Sequence, residues 1–310
     1  MQKKQLVSGL MLALTALIWG SAFVAQSVGM DYVGPFTFNA SRSYLAGLAL
    51  LPVIRMMDRR AAAQGLPTGK PVSEKDKKLL LRGGVLCGLM LSLASALQQA
   101  GIQYTTVGKA GFITAMYIVI VPVLGFLFLH QKPGVQVWAG VVIAVAGMYL
   151  LCMTGGDLSL GRGDVLLILS SLGFSLHILV IDRYSPLVDG VRMSCLQFFV
   201  VAVTSTVLAL LFEQPSLSGI LSAWLPVLYA GIMSSGVGYT FQIVAQKNVQ
   251  PTIASLILSL ESVFSVLAGW VLLHEALSVR ELCGCGLMFL AILLAQLPSR
   301  AAAAEEKQSA

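Results

Sequence analysis

The sequence contains few charged residues. Asp, Glu, Lys and Arg make up 11% of its 310 residues, and only three residues are histidine. A soluble domain carries roughly 25% charged residues, because its surface faces water. Hydrophobic residues make up 57% of this chain, and its mean hydropathy is +0.84. With so few polar residues to cover a surface, the chain is expected to fold in lipid as an integral membrane protein.

The motifs of common catalytic chemistry are also missing. No group of His, Cys and carboxylate residues has metal-ligand spacing, and there is no phosphate-binding Gly-x-x-x-x-Gly-Lys-Ser/Thr loop. The sequence therefore predicts no enzyme, no catalytic residues, no metal or other cofactor, and no use of ATP. Five cysteines occur without a Cys-x-x-Cys pair, and we expect them to be small buried hydrophobic residues: Cys87, Cys152, Cys195, Cys283 and Cys285.

Long apolar runs are what the sequence does contain. Because the bilayer core offers no water to unpaired backbone groups, runs of this kind form helices. A helix needs roughly 20 apolar residues to cross, and ten runs come close to that length: 6–28, 34–54, 79–101, 107–129, 135–153, 163–182, 190–212, 222–244, 251–273 and 279–297. The predicted fold class is an all-α integral membrane protein with ten transmembrane helices. The first run follows two lysines, as in a signal peptide, but its length favours a first helix.

Positive charges are distributed unequally between the two sides of the predicted membrane. With the N-terminus inside, sixteen Lys and Arg residues face the inner side, three face the outer side, and Arg42 lies within a span. Since these residues accumulate in cytoplasmic loops, both termini are predicted to be cytoplasmic. Orientation then explains the net charge of +6, and no nucleic-acid partner is expected. The predicted location is the plasma membrane, which is the inner membrane in a bacterium, with membrane lipid as a partner.

The chain contains a sparse internal repeat. A shift of 144 residues aligns these pairs: Gln98 with Gln242, Ala110 with Ala254, Gly125 with Gly269, and Leu129-His130 with Leu273-His274. In the front parts, a shift of 155 aligns Trp19 with Phe174 and Arg42 with Gln197. We predict two five-helix domains, 1–153 and 154–298, and a disordered cytoplasmic tail at 299–310. Because five is odd, the second unit is expected to be inverted, an architecture common in alternating-access transporters.

One carboxylate lies near the middle of the ninth run. Glu261 is ten residues from Pro251, which places it roughly 15 Å into the membrane at 1.5 Å per residue. A charge at that depth is costly and usually faces a cavity. Its residue type suits proton coupling or the binding of a cationic group. A structural carboxylate that is hydrogen-bonded between helices remains the alternative.

Arg42 is the only basic residue well inside a predicted span. It lies eight residues into the second run, roughly 12 Å from the outer end. A guanidinium there suits a substrate carboxylate or phosphate, or an ion pair with Glu261. An ion pair that locks one conformation is the structural alternative.

Further polar and aromatic residues in the spans are candidates for the wall of a cavity. Three are glutamines, which otherwise form hydrogen bonds between helices: Gln98, Gln242 and Gln197. Four are aromatic residues, which pack or face lipid as readily as they line a cavity: Trp19, Phe23, Tyr117 and Tyr239. Of the histidines, His177 is expected to be structural, and His130 and His274 to lie at the membrane interface.

Four stretches resemble the EamA-type transporters of the drug/metabolite transporter superfamily: Ile18–Phe23, Gly108–Ile113, Val121–Gly125 and Leu260–Phe264. The resemblance runs through both five-helix units. It implies transport of amino acids, other metabolites or toxic compounds, mostly outward in bacteria. The family has Glu-Pro-Val-Phe where this chain has Glu261-Ser262-Val263-Phe264, so the proline that explains a kink is missing. The family also has Gly-Glu where this chain has His130-Gln131.

Together these features predict a secondary transporter that exports small organic metabolites such as amino acids by alternating access. The expected partner is a small-molecule substrate, and Glu261 is the candidate residue for proton coupling or for binding a cationic group. An exporter of cationic or multiple drugs is the alternative within transport. A non-transporting membrane sensor or enzyme is the alternative of another class, disfavoured because the longest loop, Arg55–Lys78, is short. The sequence leaves the coupling ion and the oligomeric state open.

Overall fold

The computed structural model describes residues 2–105, 107–129, 133–152, 161–273 and 278–296. The predicted junction at 153/154 and the tail 299–310 lie outside these ranges, as do His130, Gln131, His274 and Glu275. All regular secondary structure within the described ranges is helical, as the composition predicted.

Each of the ten predicted apolar runs contains helix, and several runs are divided into shorter helices. The bounds are α1 Gln2–Gly29, α2 Pro35–Ala63, α3 Glu74–Ile102, α4 Val107–Thr114, α5 Tyr117–Leu129, α6 Val135–Cys152, α7 Arg162–Tyr184, α8 Gly190–Phe212, α9 Leu217–Ser222, α10 Trp224–Leu228, a π-helical segment Tyr229–Tyr239, α11 Thr240–Gln246, α12 Pro251–Leu258, α13 Leu260–Leu273 and α14 Val279–Gln296.

Prolines and capping residues fix several helix starts. Pro35 and Pro251 are the first residues of α2 and α12, where the missing N–H group has no helical partner to lose. Ser73 caps α3, because its hydroxyl accepts a hydrogen bond from the Asp76 N–H at 3.1 Å. The Asp76 carboxylate accepts from the Ser73 N–H at 3.0 Å in return, which completes a capping box.

Within the described ranges, seven helical segments are long and apolar enough to cross a membrane: Lys4–Gly29, Glu74–Ile102, Ala110–Phe128, Arg162–Tyr184, Gly190–Phe212, Trp224–Gln246 and Pro251–Leu272. Two more apolar segments are shorter, Val135–Leu150 and Leu282–Leu294. Helix α2 has the length, but Asn39 and Arg42 lower its apolar content. The structure therefore describes a multi-pass helical membrane protein, while the count of ten crossings stays a prediction.

Helices from the two halves of the chain are interleaved. Helix α1 packs against α13, α2 against α8, α3 against α7 and α8, and α6 against α14. Each of these pairs joins a helix of the first predicted unit to a helix of the second. The protein interior is consequently shared by both halves, and a central site can take side chains from each.

Two of the apolar runs are interrupted at corresponding places. Helix α4 ends at Thr114 and α5 begins at Tyr117, while α12 ends at Leu258 and α13 begins at Leu260. With the 144-residue shift, the two interruptions coincide. The second occurs without the family's proline, and serine hydroxyls there bond to the backbone of the preceding turn.

Ser259 and Ser262 supply those bonds. Ser259 donates to the Leu256 carbonyl oxygen and Ser262 to the Ser259 carbonyl oxygen, both at 2.7 Å. Side-chain bonds of this kind compete with the regular helical ladder and bend helices. The loss of the proline therefore does not remove the interruption next to Glu261.

Carboxylates join α2 and α8 at both ends. At one end the Glu213 carboxylate accepts from the Phe36 and Thr37 N–H groups at 2.7 and 2.8 Å. At the other end Arg192 donates to Asp58. The start of α2 thus lies beside the end of α8, and the two helices run antiparallel. Asp58 and Glu213 are separated by the same 155 residues that relate Trp19 to Phe174.

We expect Asp58→Asn to lower the melting temperature of the protein near neutral pH. Asp58 lies beyond the predicted span of α2, and the hydrogen bond from Arg192 lowers the pKa of its carboxyl. Stabilisation of this sign is present above the ordinary carboxyl pKa of about 4 and disappears as the pH falls through the lower folded value. Thermal unfolding in detergent should show a gap between wild type and variant that narrows on acidification.

Lys70→Gln is the matched control for Asp58→Asn. Lys70 forms a long ion pair with Asp58, at 3.7 Å, and its side chain is exposed to solvent. Because exposed ion pairs contribute little to stability, the loss of Lys70 should have little effect. A gap for Asp58→Asn that stays constant between neutral and acidic pH would contradict the role given to the Arg192 bond.

The cysteines correct one sequence expectation. Cys87, Cys195 and Cys285 are buried, as predicted, but Cys283 is exposed on α14. The expectation that all five are buried was therefore wrong for Cys283. In a membrane protein the outer face of a helix meets lipid, so an apolar thiol has no need of burial there. The Cys152 side chain lies outside the described residues.

Candidate functional site

A small cavity lies between the interrupted helices and their neighbours. It is lined by Trp19, Phe23, Gln26, Arg42, Gln98, Thr114, Tyr117, Phe174, Ser234, Tyr239 and Glu261. Seven of the nine residues that the sequence singled out are among them. The space open to a water-sized sphere is about 30 Å³, enough for only a few water molecules. In this conformation the cavity is therefore too small for an organic solute such as an amino acid.

Glu261 lies in the first turn of α13, directly after the interruption. It is 4% exposed, and its Oε1 accepts a hydrogen bond of 2.9 Å from the hydroxyl of Tyr117. Tyr117, the first residue of α5, is separated from Glu261 by 144 residues, the repeat shift. The two corresponding positions of the repeat therefore meet at the centre of the protein. No other hydrogen bond to this carboxylate occurs among the described residues.

Arg42 enters the same cavity from α2. It is 5% exposed, and its Nη1 donates to Gln26 Oε1 at 3.2 Å. The guanidinium lies 5.8 Å from the centre of the Phe38 ring, within the range of a cation–π contact. In the part of the chain that is described, Arg42 has no ion pair within 4.0 Å. The predicted alternative of an ion pair with Glu261 is thus not formed in this conformation.

Aromatic rings form one wall of the cavity. The rings of Trp19 and Tyr239 have centroids 4.4 Å apart. The indole Nε1 of Trp19 donates to the carbonyl oxygen of Ser234 at 3.1 Å. Ser234 and Tyr239 both belong to the π-helical segment, a geometry often found at functional sites. Phe174, which the 155-residue shift pairs with Trp19, contributes from α7.

Two of the predicted glutamines do not reach the cavity. Gln197 is fully buried away from it, with its Oε1 3.0 Å from His177 Nε2, so it links α8 to α7. Gln242 is buried, but α11 directs it elsewhere. Gln98 does line the cavity, and its Nε2 lies 3.4 Å from Thr114 Oγ1. His177 is buried and bonded to Gln197, which agrees with the structural role expected of it.

Four lining residues were not among the sequence candidates: Gln26, Thr114, Phe174 and Ser234. Gln26 follows Trp19 and Phe23 at positions i+7 and i+3, on the same face of α1. Thr114 precedes Tyr117 by three residues and shares its side of the interruption. Helical spacing was therefore a signal that could have found both, whereas the part played by Ser234 depends on the π-helical backbone.

Close packing of α1 on α13 holds the Glu261 side of the cavity in place. A Cβ atom at Gly20 would lie 2.7 Å from the Glu261 carbonyl oxygen and 2.5 Å from the Phe264 Cβ. We expect Gly20→Ala to destabilise the protein by about 1–3 kcal/mol, because the neighbouring atoms belong largely to backbone and cannot yield. Thermal unfolding in detergent measures this directly.

Gly9→Ala on the same helix is the matched control. Its added Cβ would meet only the Ile257 Cδ1 atom at 3.9 Å, an ordinary contact. The control should unfold close to the wild-type temperature. Equal losses for Gly20→Ala and Gly9→Ala would contradict the role given to the contact with α13, because helix propensity favours alanine at both positions.

The fold and the site together define a class of protein. Apolar helices that cross a membrane many times surround a polar cavity at the meeting point of two interrupted helices, the arrangement of a membrane transporter. The sequence model of the EamA-like transporter family matches residues 7–153 and 161–297, so it is found twice along the chain. The chain belongs to the EamA-like transporter family.

Similar proteins carry transporter names. An uncharacterized transporter of Archaeoglobus fulgidus is 29% identical, with 95% of this chain and 87% of that protein covered. The uncharacterized transporter YoaV of Bacillus subtilis is 22% identical over 90% of this chain and 92% of its own length. A chloroplastic WAT1-related protein of Arabidopsis thaliana is 23% identical, covering 90% of this chain and 67% of that protein.

A solved crystal structure has the same fold. It superposes with a TM-score of 0.75 and covers 95% of this chain and 98% of its own, at 17% sequence identity.

Proposed function

We propose that this protein is a secondary transporter that exports neutral amino acids or related zwitterions across the plasma membrane, the inner membrane in a bacterium. The observation that carries the proposal is the shared cavity of Arg42 and Glu261. A buried cation and a buried carboxylate face one small space without pairing to each other.

The hydrogen-bonding capacity of Arg42 points to an anionic group on the substrate. A guanidinium has five N–H donors, and among the described residues only Gln26 accepts one of them from this side chain. A buried charge without partners is costly. A substrate carboxylate that accepts two N–H bonds from Arg42 would offset much of that cost.

Glu261 is suited to bind the ammonium group of a substrate whose carboxylate is bound by Arg42. Tyr117 donates to its Oε1, which leaves Oε2 without a protein donor in the described part of the chain. A substrate ammonium group fits that oxygen, and the aromatic wall fits an apolar side chain. A purely cationic drug would instead meet the uncompensated charge of Arg42, which acts against it. The site therefore favours zwitterions over the predicted alternative of cationic drugs.

The small size of the cavity supports an alternating-access mechanism. A cavity of about 30 Å³ holds a few waters but no amino acid, so its walls must separate for a substrate to enter. Interrupted helices at corresponding positions are typical of transporters built from inverted repeats. The antiparallel pairing of α2 with α8, the second helices of the two units, supports that inversion.

Proton coupling completes the proposed mechanism. A carboxylate that binds either a proton or the substrate ammonium can exchange one for the other as the cavity opens to each side. Glu261 is the only acidic residue that lines the cavity among the described residues. We further propose ten crossings with cytoplasmic termini, so that the start of α2 lies at the outer face and Asp58 at the inner face.

A thermal-shift screen of the purified protein in detergent tests the substrate class. Leucine carries both charged groups, 3-methylbutylamine only the ammonium, 4-methylpentanoate only the carboxylate, and tetraphenylphosphonium is a lipophilic cation. A ligand at 100 times its Kd stabilises the folded state by about 2.7 kcal/mol. The proposal expects the largest shift from leucine or another neutral amino acid. A larger shift from tetraphenylphosphonium than from any amino acid would overturn it.

A further inference from the structure

A second, larger cavity lies at the predicted cytoplasmic ends of α1, α7 and α11. It is lined by Lys4, Gln5, Asp182, Pro186, Gln246, Lys247, Asn248, Val249 and Gln250. The space open to a water-sized sphere is about 380 Å³. Three helical elements line both this cavity and the central one. They are α1, α7, and the π-helical segment together with α11, which continues it.

The lining of this cavity includes a carboxylate that has no partner. Asp182 is partly buried, and its carboxylate makes no hydrogen bond or ion pair among the described residues. A carboxylate of this kind is complementary to a donor such as an ammonium. Gln246 also lines the cavity; its Nε2 donates to the Ile178 carbonyl oxygen at 3.3 Å, and its Oε1 is buried without a hydrogen bond.

The rim of the cavity carries positive charge. Lys4 and Lys247 are both exposed, and Lys247 donates to the Val188 carbonyl oxygen at 3.0 Å. An ammonium has three N–H donors, so Lys247 retains two for another acceptor. Neither lysine lies within 4.0 Å of Asp182 in the described structure. The Asp182 carboxylate is thus separated from the cations at the rim.

We propose that this cavity is a second binding site, for organic ammonium compounds and above all for zwitterionic amino acids. Asp182 binds the ammonium group, and Lys247 with Lys4 binds the carboxylate. That the bound solute is also the transported one rests on the proposed function. That the site binds an ammonium group rests only on the residues of this cavity.

The position of the site suits a solute that waits to enter the central cavity. Asp182 follows Phe174 by eight residues on α7, which separates the two cavities by roughly 12 Å along the helix. The bond from Gln246 to Ile178 lies between them and joins α11 to α7. A ligand at Asp182 therefore lies one helical turn from the contact between α7 and α11 that separates the two cavities.

Protection of an introduced cysteine tests the proposal. Gln250→Cys places a thiol at the exposed rim of the cavity, and its labelling by a fluorescent maleimide is followed on the purified full-length protein. Labelling of the parent chain, in which Cys283 is exposed, is subtracted. Leucine and 3-methylbutylamine should slow the labelling several-fold, whereas 4-methylpentanoate should not.

Two sets of variants separate this site from the central one. Asp182→Asn in the Gln250→Cys background should abolish protection by both ammonium probes. Arg42→Gln and Glu261→Gln, which alter only the central cavity, should leave protection intact. The protection experiment therefore gives its result independently of whether the protein transports leucine. The proposal is overturned if no probe protects, if 4-methylpentanoate protects equally, or if Asp182→Asn retains full protection.

Discussion

Replacing Glu261 with glutamine is expected to weaken the binding of amino acids by about 30-fold or more, since loss of one partner of a buried charge pair costs about 2–5 kcal/mol. The fold should survive, because glutamine keeps the shape and still accepts from Tyr117. Uptake that is driven by a pH gradient should disappear in the variant, since its amide cannot carry a proton. Affinity is measured by competition against labelled leucine in proteoliposomes.

Two control variants give this result its meaning. Tyr117→Phe removes the 2.9 Å bond to Glu261 but keeps the carboxylate, so pH-driven uptake should persist at reduced affinity. Glu74→Gln removes an exposed carboxylate at the start of α3 and should change nothing. Glu261→Gln with unchanged affinity and unchanged pH dependence would make Glu261 a structural carboxylate, the alternative that the sequence left open.

Replacing Arg42 with glutamine is expected to change selectivity rather than to abolish binding. The affinity for leucine should fall by about 30-fold or more, because its carboxylate loses a charged double donor. The affinity for 3-methylbutylamine should stay the same or rise, since the cation that opposes it has gone. The ratio of the two affinities, obtained from competition or thermal shift, is the informative quantity.

Arg42→Lys is the matched variant for this second result. It keeps the positive charge but loses the planar fork that binds a carboxylate through two N–H groups. Its affinity for leucine should lie between those of wild type and Arg42→Gln. A parallel loss of affinity for leucine and 3-methylbutylamine in Arg42→Gln would contradict carboxylate recognition and assign Arg42 to a structural role with Gln26.

The membrane class and the pairing of the two halves could be predicted from the sequence. Hydrophobic composition alone requires helices in lipid, and ten apolar runs all contain helix. The 144-residue shift aligned Tyr117 with Glu261, and these two side chains are in contact in the structure. The repeat aligned these two positions, but that their side chains touch was not predicted and is seen only in the structure.

The wall of the cavity was harder to predict. Gln197 aligns with Arg42, yet it bonds to His177 instead of entering the cavity. Which face of a buried apolar helix points inward depends on its rotation, and a helix that is apolar all round gives no signal of that rotation. The interruption at Ser259 was likewise not expected, because the sequence lacks the proline and the serine-to-backbone bonds act in its place.

The carboxylate contacts at the ends of α2 and α8 were also not predicted from the sequence. Asp58 and Glu213 lie in segments that a hydropathy profile treats as loop or helix end, and their partners are distant in sequence. The 155-residue shift relates the two carboxylates, but only the three-dimensional pairing of the two helices shows that each bonds to the start of the other helix.

Counterflow in proteoliposomes tests the central claim most directly. Liposomes that contain the wild-type protein and are preloaded with unlabelled amino acid should accumulate the same labelled amino acid above its equilibrium level. This should occur for at least one neutral member of the twenty standard amino acids, and Arg42→Gln and Glu261→Gln should suppress it. Uptake no greater than in protein-free liposomes for all twenty would contradict the account.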